Sequence, residues 1–145
     1  MKKIIVATDG TPGTEKALER AAASVKGESG EVLVVYAMED LCPVALDEVD
    51  CQTFASIMDK EAQTVIDTSV KKLESLGVSG KGIIIRGEPV EVIVAVAKKE
   101  QADEIIAYSL GKKGLVKLLR GSVTAKLVGD APCPVVIMKN GEHPA

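Results

Sequence analysis

Five short apolar runs separated by helical patterns predict an α/β fold: an open five-stranded parallel sheet with helices on both faces. Three observations carry this reading. The runs 3–8, 31–37, 81–86, 103–107 and 133–138 are short and rich in Val and Ile, as strands buried on both faces are. The segments between most of them repeat apolar residues at three- and four-residue steps, as one face of a helix does. Hydrophobic types make up 46% of the 145 residues but aromatic ones only 2%, so the core must be built from Val, Ile, Leu and Ala. Strands alternating with helices imply right-handed crossovers. The length fits one domain over 1–145, and no run suggests a second domain, a repeat or a linker.

Taken in order, Lys3 to Thr8 is a strand stopped by residues 9–13, Asp-Gly-Thr-Pro-Gly. Thr11 and Pro12 look like an N-cap and a first helical residue. The helix that follows, to about Lys26, keeps Ala17, Leu18, Ala21, Ala22 and Val25 on one face. Gly27 to Gly30 is a turn and Glu31 to Ala37 the second strand. Met38 to Thr53 carries Pro43 and the acids Glu39, Asp40, Asp47, Glu48 and Asp50 without a period, and reads as a solvated surface loop. Phe54 to Leu76 is the longest helical pattern, closed by Gly77. Lys81 to Arg86 is the third strand. Gly87, Glu88 and Pro89 open a helix to about Lys99, and Asp103 to Ala107 is the fourth strand. A helix beginning near Thr124 ends at Val128, broken by Gly129, and Cys133 to Met138 is the fifth strand.

The stretch with the strongest chemical signal is Tyr108 to Val123. It holds Gly111, Gly114 and Gly121, the cations Lys112, Lys113, Lys117 and Arg120, and no acid, in a chain of formal charge −3. Glycines let backbone approach a ligand, and a loop entering a helix presents unpaired N–H groups to an anion. In an open parallel sheet, ligands bind beyond the carboxyl ends of strands where the connections change direction. If strands one and four are neighbours there, Asp9 faces this basic loop across one crevice. The carboxylate accepts hydrogen bonds from a base or ribose while amides and cations take phosphates. Each part also has a structural explanation: Gly111 and Gly114 as a strand exit, Ser122 as a helix cap, Asp9 as a turn residue.

Other chemistries lack support. The mild acidity argues against non-specific nucleic-acid binding. No stretch approaches the length that spans a membrane, and Asp9 interrupts the first apolar run too early for a signal peptide. The cysteines Cys42, Cys51 and Cys133 and the lone His143 form no paired metal spacing. Free thiols in a reducing cytoplasm are the expected state, although Cys42 and Cys51 meet if their loop folds back. No nucleophile–base array or acid–base pair is visible, so no catalytic residue is assigned.

Four segments together resemble the universal stress protein family: Val6 to Asp9, Gly87 to Pro89, the spacing from Gly111 to Gly121-Ser122-Val123, and Ala131 to Val136. The resemblance runs over essentially the whole chain. It implies the strand order 3-2-1-4-5 of the Rossmann-like, adenine nucleotide α-hydrolase-like group, and a homodimer through the last strand. The ATP-binding branch of the family carries Gly-x2-Gly-x9-Gly-Ser/Thr. Here Gly111, Gly121 and Ser122 match the later positions, while Tyr108 stands where the first glycine belongs. The resemblance makes Asp9 the acid that contacts adenine, places Thr8 and Ala37 along the base, and gives Val123 a backbone N–H near the phosphates. The implied ligand is ATP or AMP, with Mg2+ accompanying ATP. The implied role is regulatory and non-enzymatic, in the cytoplasm, through an unknown protein partner. Two alternatives remain: a stress protein that binds no nucleotide and works through dimerisation and protein contacts, and a weak ATP hydrolase.

Overall fold

The computed structural model describes residues 2–8, 14–38, 48–108 and 121–138. The strands are β1 (Lys3–Thr8), β2 (Glu31–Met38), β3 (Ser79–Arg86), β4 (Glu104–Tyr108) and β5 (Val135–Met138). They form one sheet in the order β3-β2-β1-β4-β5, with every neighbouring pair parallel. The helices are α1 (Thr14–Val25), α2 (Glu48–Ser75), α3 (Pro89–Glu100) and α4 (Gly121–Asp130).

Alternation along the strands splits the core into two layers. Ile4 and Val6 of β1, Val32 and Val34 of β2 and Ile106 of β4 pack with Ala17, Leu18, Ala21 and Val25 of α1 and Ala62, Ile66 and Leu73 of α2. Ile5 and Ala7, Leu33 and Val35, and Ile105 and Ala107 pack on the other side with Val90, Ile93 and Ala97 of α3 and Leu127 of α4. The central strands are buried on both faces, which is why their sequences read as unbroken apolar runs.

Several boundaries differ from expectation for identifiable reasons. The helix α2 starts at Glu48, not Phe54, so residues 48–53 are helical rather than part of a loop. Glu48 and Asp50 suit a helix start, where negative charge meets the positive end of the dipole. Met38 ends β2, and only 39–47 of the expected loop lie outside the described residues. β3 begins at Ser79, two residues early, because Gly80 and Gly82 are strand residues on which α2 sits. A methyl at Gly80 would come within 2.7 Å of Leu73 Cδ1, and one at Gly82 would overlap Ile66 Cγ2. The last helix starts at Gly121, three residues early, and runs through Gly129 to Asp130. β5 begins at Val135 rather than Cys133.

The thiol expectation is half corrected. Cys133 is free, but Cys51 is disulfide-bonded, and its partner lies outside the described residues. The early start of α2 places Cys51 on an ordered helical turn instead of in a solvated loop. Among the described residues no helix is long and apolar enough to cross a membrane.

The amino ends of the strands are closed by polar contacts. The backbone N–H of Lys3 donates to Asp103 Oδ2 at 2.8 Å, and Lys3 Nζ lies 3.3 Å from Glu100 Oε1 and 4.0 Å from Glu31 Oε1. The α3 start is capped by Glu88 Oε2, which accepts from the Glu91 N–H at 2.7 Å with Pro89 in the first turn. Gly87, at φ 154°, makes the bend that leads from β3 to this cap, and its N–H donates to Met38 O at 2.8 Å.

Candidate functional site

β1 and β4 are neighbours, with Ile4 opposite Glu104 and Ala7 opposite Ala107. From β1 the chain moves out through β2 to β3; the remaining strands, β4 and β5, lie on the other side of β1. The reversal point of the sheet therefore falls between the carboxyl ends of β1 and β4, where ligands of such sheets bind. This was the condition on which Asp9 and the basic loop could share a crevice.

Six of the eight anticipated site residues fall within described elements. Thr8 is the last residue of β1, paired in register with Tyr36. Ala37 lies near the end of β2, opposite Ile85. Tyr108 is the last residue of β4, opposite Met138. Gly121, Ser122 and Val123 are the first three residues of α4. Asp9 and Gly111 lie outside the described residues, as do Gly114, Lys112, Lys113, Lys117 and Arg120.

The start of α4 at Gly121 changes the chemistry available there. The first four N–H groups of a helix have no partner within it, and the dipole adds partial positive charge. Those N–H groups belong to Gly121, Ser122, Val123 and Thr124. Ser122 is thus inside the first turn rather than a cap ahead of it.

On the α3/α4 face, the last inward layer of β1 and β4 is alanine: Ala7 and Ala107 are buried side by side, with Val35 of β2 in register with Ala7 and the half-buried Ala37 one layer further toward the carboxyl end. One layer deeper stand Ile5 and Ile105. The side chains of β1 and β4 shorten toward the carboxyl rim, so among the described residues of these two strands none places a long apolar group there on that face.

The opposite face of β1 holds a contact that sequence reasoning missed. Thr8 Oγ1 lies 2.9 Å from Thr14 Oγ1, with both side chains buried. The hydroxyl of Thr8 therefore points toward α1, away from the alanine layer, and what Thr8 offers a ligand on that side is backbone. Two threonines flanking a short connection with glycines and a proline were the available signal, but a tertiary hydroxyl pair leaves no periodic trace.

Cys133 stands just before β5. Burial and the nearby carboxylates of Asp103 and Glu104 push its thiol above the ordinary value of 9.0, which suits an inert, protonated sulfur rather than a nucleophile. Among the described residues no group of three His, Cys, Asp or Glu side chains is placed to hold a metal ion.

Comparison with known proteins agrees with the architecture. The family model described as "Universal stress protein family" matches residues 1–139. The universal stress protein MJ0531 of Methanocaldococcus jannaschii is 31% identical over 139 residues, covering 95% of this chain and 82% of that protein. The solved structure of MJ0577, from the same organism, superposes with a TM-score of 0.76 at 31% identity and covers 96% of each chain. A universal stress protein of Arabidopsis thaliana, solved with AMP bound, shares the fold at a TM-score of 0.68 and 21% identity, over 100% of this chain and 97% of that one. With its sheet order, its reversal point and these matches over nearly its full length, the chain belongs to the universal stress protein family.

Proposed function

We propose that this chain is a regulatory stress protein that binds an adenine nucleotide, AMP or ATP, in the crevice between the carboxyl ends of β1 and β4. The observation that carries this reading is a coincidence of three features. The reversal point lies between β1 and β4, α4 opens at Gly121-Ser122 with amides that have no partner within the helix, and Ala7 and Ala107, with Ala37 further out on β2, stand toward the carboxyl ends of their strands on the α3/α4 face. Amides at a helix start suit phosphates, and a shallow apolar wall suits a base. The AMP bound to the Arabidopsis relative supports the choice of ligand.

In this reading Asp9 accepts from the adenine amine, and Thr8 and Ala37 border the base. The amides of Gly111, Gly121, Ser122 and Val123 face the phosphates, and Tyr108 stands beside the sugar. Where the ligand is ATP, Mg2+ is held by the phosphates, as this ion commonly is. The half-buried apolar residues of β5, whose outer edge no described strand covers, fit pairing with a second copy. We assign no catalytic residue and place the protein in the cytoplasm.

A ligand that binds only the folded state stabilises it by about 2.7 kcal/mol at a hundredfold excess over Kd, or about 5–10 °C for a domain of this size. AMP, and ATP with Mg2+, should raise the melting temperature by that order, and Asp9→Ala should remove most of the shift. An unchanged melting temperature at millimolar nucleotide favours the second reading, a stress protein that acts through protein contacts alone. That reading draws on Tyr108, whose place at the end of β4 is the family motif's first glycine position.

A further inference from the structure

We infer that the first half of α2 is a docking face for a basic amphipathic helix of a partner protein, with Phe54 and Ile57 as its apolar centre. The inference is independent of the nucleotide reading and lies across the sheet from α3 and α4.

The second half of α2 is committed to the core: Ala62, Ile66 and Leu73 are buried against the sheet. From Cys51 to Glu61 the helix keeps apolar residues without such cover. Phe54, Ala55 and Met58 are half-buried, and Ile57 is 57% exposed. Among the described residues, Ile57 and Val128 are the large apolar side chains left exposed. Phe54, Ile57 and Met58 stand three or four residues apart, so they are neighbours on one side of the helix.

The residues further along α2 show which side this is. Lys72 Nζ lies 3.3 Å from Glu19 Oε2 of α1. Phe54 precedes Lys72 by about five turns at 3.6 residues per turn, so it sits on the shoulder of α2 that faces α1. Both helices run from the carboxyl to the amino end of the sheet. However, α1 starts at Thr14, five residues before Glu19, whereas α2 starts at Glu48, 24 residues before Lys72. α1 therefore accompanies the later turns of α2 and leaves the shoulder around Phe54 and Ile57 without a described helix beside it.

Backbone chemistry and charge choose the occupant. The middle of a helix offers no free backbone donors or acceptors. An extended segment laid on it would leave its own N–H and C=O groups against apolar side chains, while a helix brings these already paired. Ridges of side chains on two helices interlock, and residues 51–61 give about 15 Å of contact, close to three turns. Charge then sets the sign. Residues 48–61 carry Glu48, Asp50, Asp59 and Glu61 against Lys60. Arg86 answers Asp59, and the balance stays negative. That repels a nucleic acid or an anionic lipid surface, sets two copies of this face acid against acid, and favours Lys or Arg beside the apolar stripe of the partner.

The probe is a fluorescein-labelled peptide of about 15 residues built from Leu and Lys at helical spacing, compared with the same composition scrambled so that no apolar stripe forms. Anisotropy titrations are run on the wild type, Ile57→Gln and Val128→Gln, where Val128 is the exposed apolar residue of α4, across the sheet. Neither substitution changes charge or opens the core, and melting temperatures check that each variant is folded. The wild type should bind the striped peptide with a Kd on the order of micromolar, weakening about fivefold between roughly 50 and 300 mM salt. Ile57→Gln should weaken binding about fivefold or more, while Val128→Gln stays within about twofold. The scrambled peptide should bind at least about tenfold more weakly. No binding by the wild type, equal binding of both peptides, binding indifferent to salt, or equal behaviour of Ile57→Gln and Val128→Gln overturns the inference. So does a self-association of the wild type that Ile57→Gln abolishes, which gives the face to a second copy. Should Ile57→Gln not fold, Ile57→Ala is read by the same comparison.

Discussion

Gly82 shows how much one missing methyl can decide. It faces α2 on the edge strand β3, and Ile66 fills the place a Cβ would take. Gly82→Ala forces strand and helix apart or Ile66 off its rotamer, an overpacking cost of about 1–3 kcal/mol. Urea unfolding should show that loss, and Ile66→Ala, which removes the Cγ2 that meets the new methyl, should cost less in the Gly82→Ala background than in the wild type. Cys133 gives a prediction in pH. Burial, with Asp103 and Glu104 nearby, raises its folded pKa above 9.0. Above that value the unfolded thiol loses its proton before the folded one, so the contribution of this group is complete below pH 9.0 and is lost as pH rises through the folded pKa. Cys133→Ala should flatten that alkaline limb of a stability–pH curve, and iodoacetamide should modify Cys133 in the native protein far more slowly than a free thiol at pH 8.

Elements were legible where a periodic pattern carried them and misjudged where a special residue did. The strands β1, β2 and β4 stood out because both of their faces are buried, so no polar residue interrupts them. The α3 boundaries were clear because Glu88-Pro89 is a cap with a proline in the first turn. The opening of α2 was obscured because Glu48 and Asp50 read equally well as solvated loop acids. α4 looked as if it broke at Gly129, yet the helix continues through it and a Cβ there would meet nothing within 4 Å. Gly129→Ala should therefore stabilise the protein by about 0.5 kcal/mol, seen as a small rise in melting temperature. Of the anticipated site residues, Thr8, Ala37 and Tyr108 fall at or near strand ends as the apolar runs indicated, whereas Gly121 to Val123 belong to the first turn of α4 and were expected ahead of it. The Thr8–Thr14 contact was not legible, because it depends on how α1 docks rather than on any local pattern.

At the scale of the molecule, the two ends of the sheet differ in kind. The amino end is tied by Lys3 to Glu31, Glu100 and Asp103, whereas the carboxyl end carries the reversal point and the α4 amides. The position of β5 at the edge of the described sheet gives the prediction for assembly: sedimentation should show a dimer at micromolar concentration, and a monomer throughout would remove the strand-edge pairing.

The length of α2 has a last consequence. Leu73 sits on Gly80, Ile66 on Gly82, and Asp59 pairs with Arg86 at the end of β3, so helix and strand keep pace until the strand stops. Residues 48–58 then continue for roughly 16 Å at 1.5 Å per residue, and between Cys51 and Glu61 no side chain is buried. The helix stands above the sheet like a parapet on the β3 flank. Along that length α2 presents a surface beside β3 in which no side chain from Cys51 to Glu61 is buried, a face a partner could grip without touching the strands.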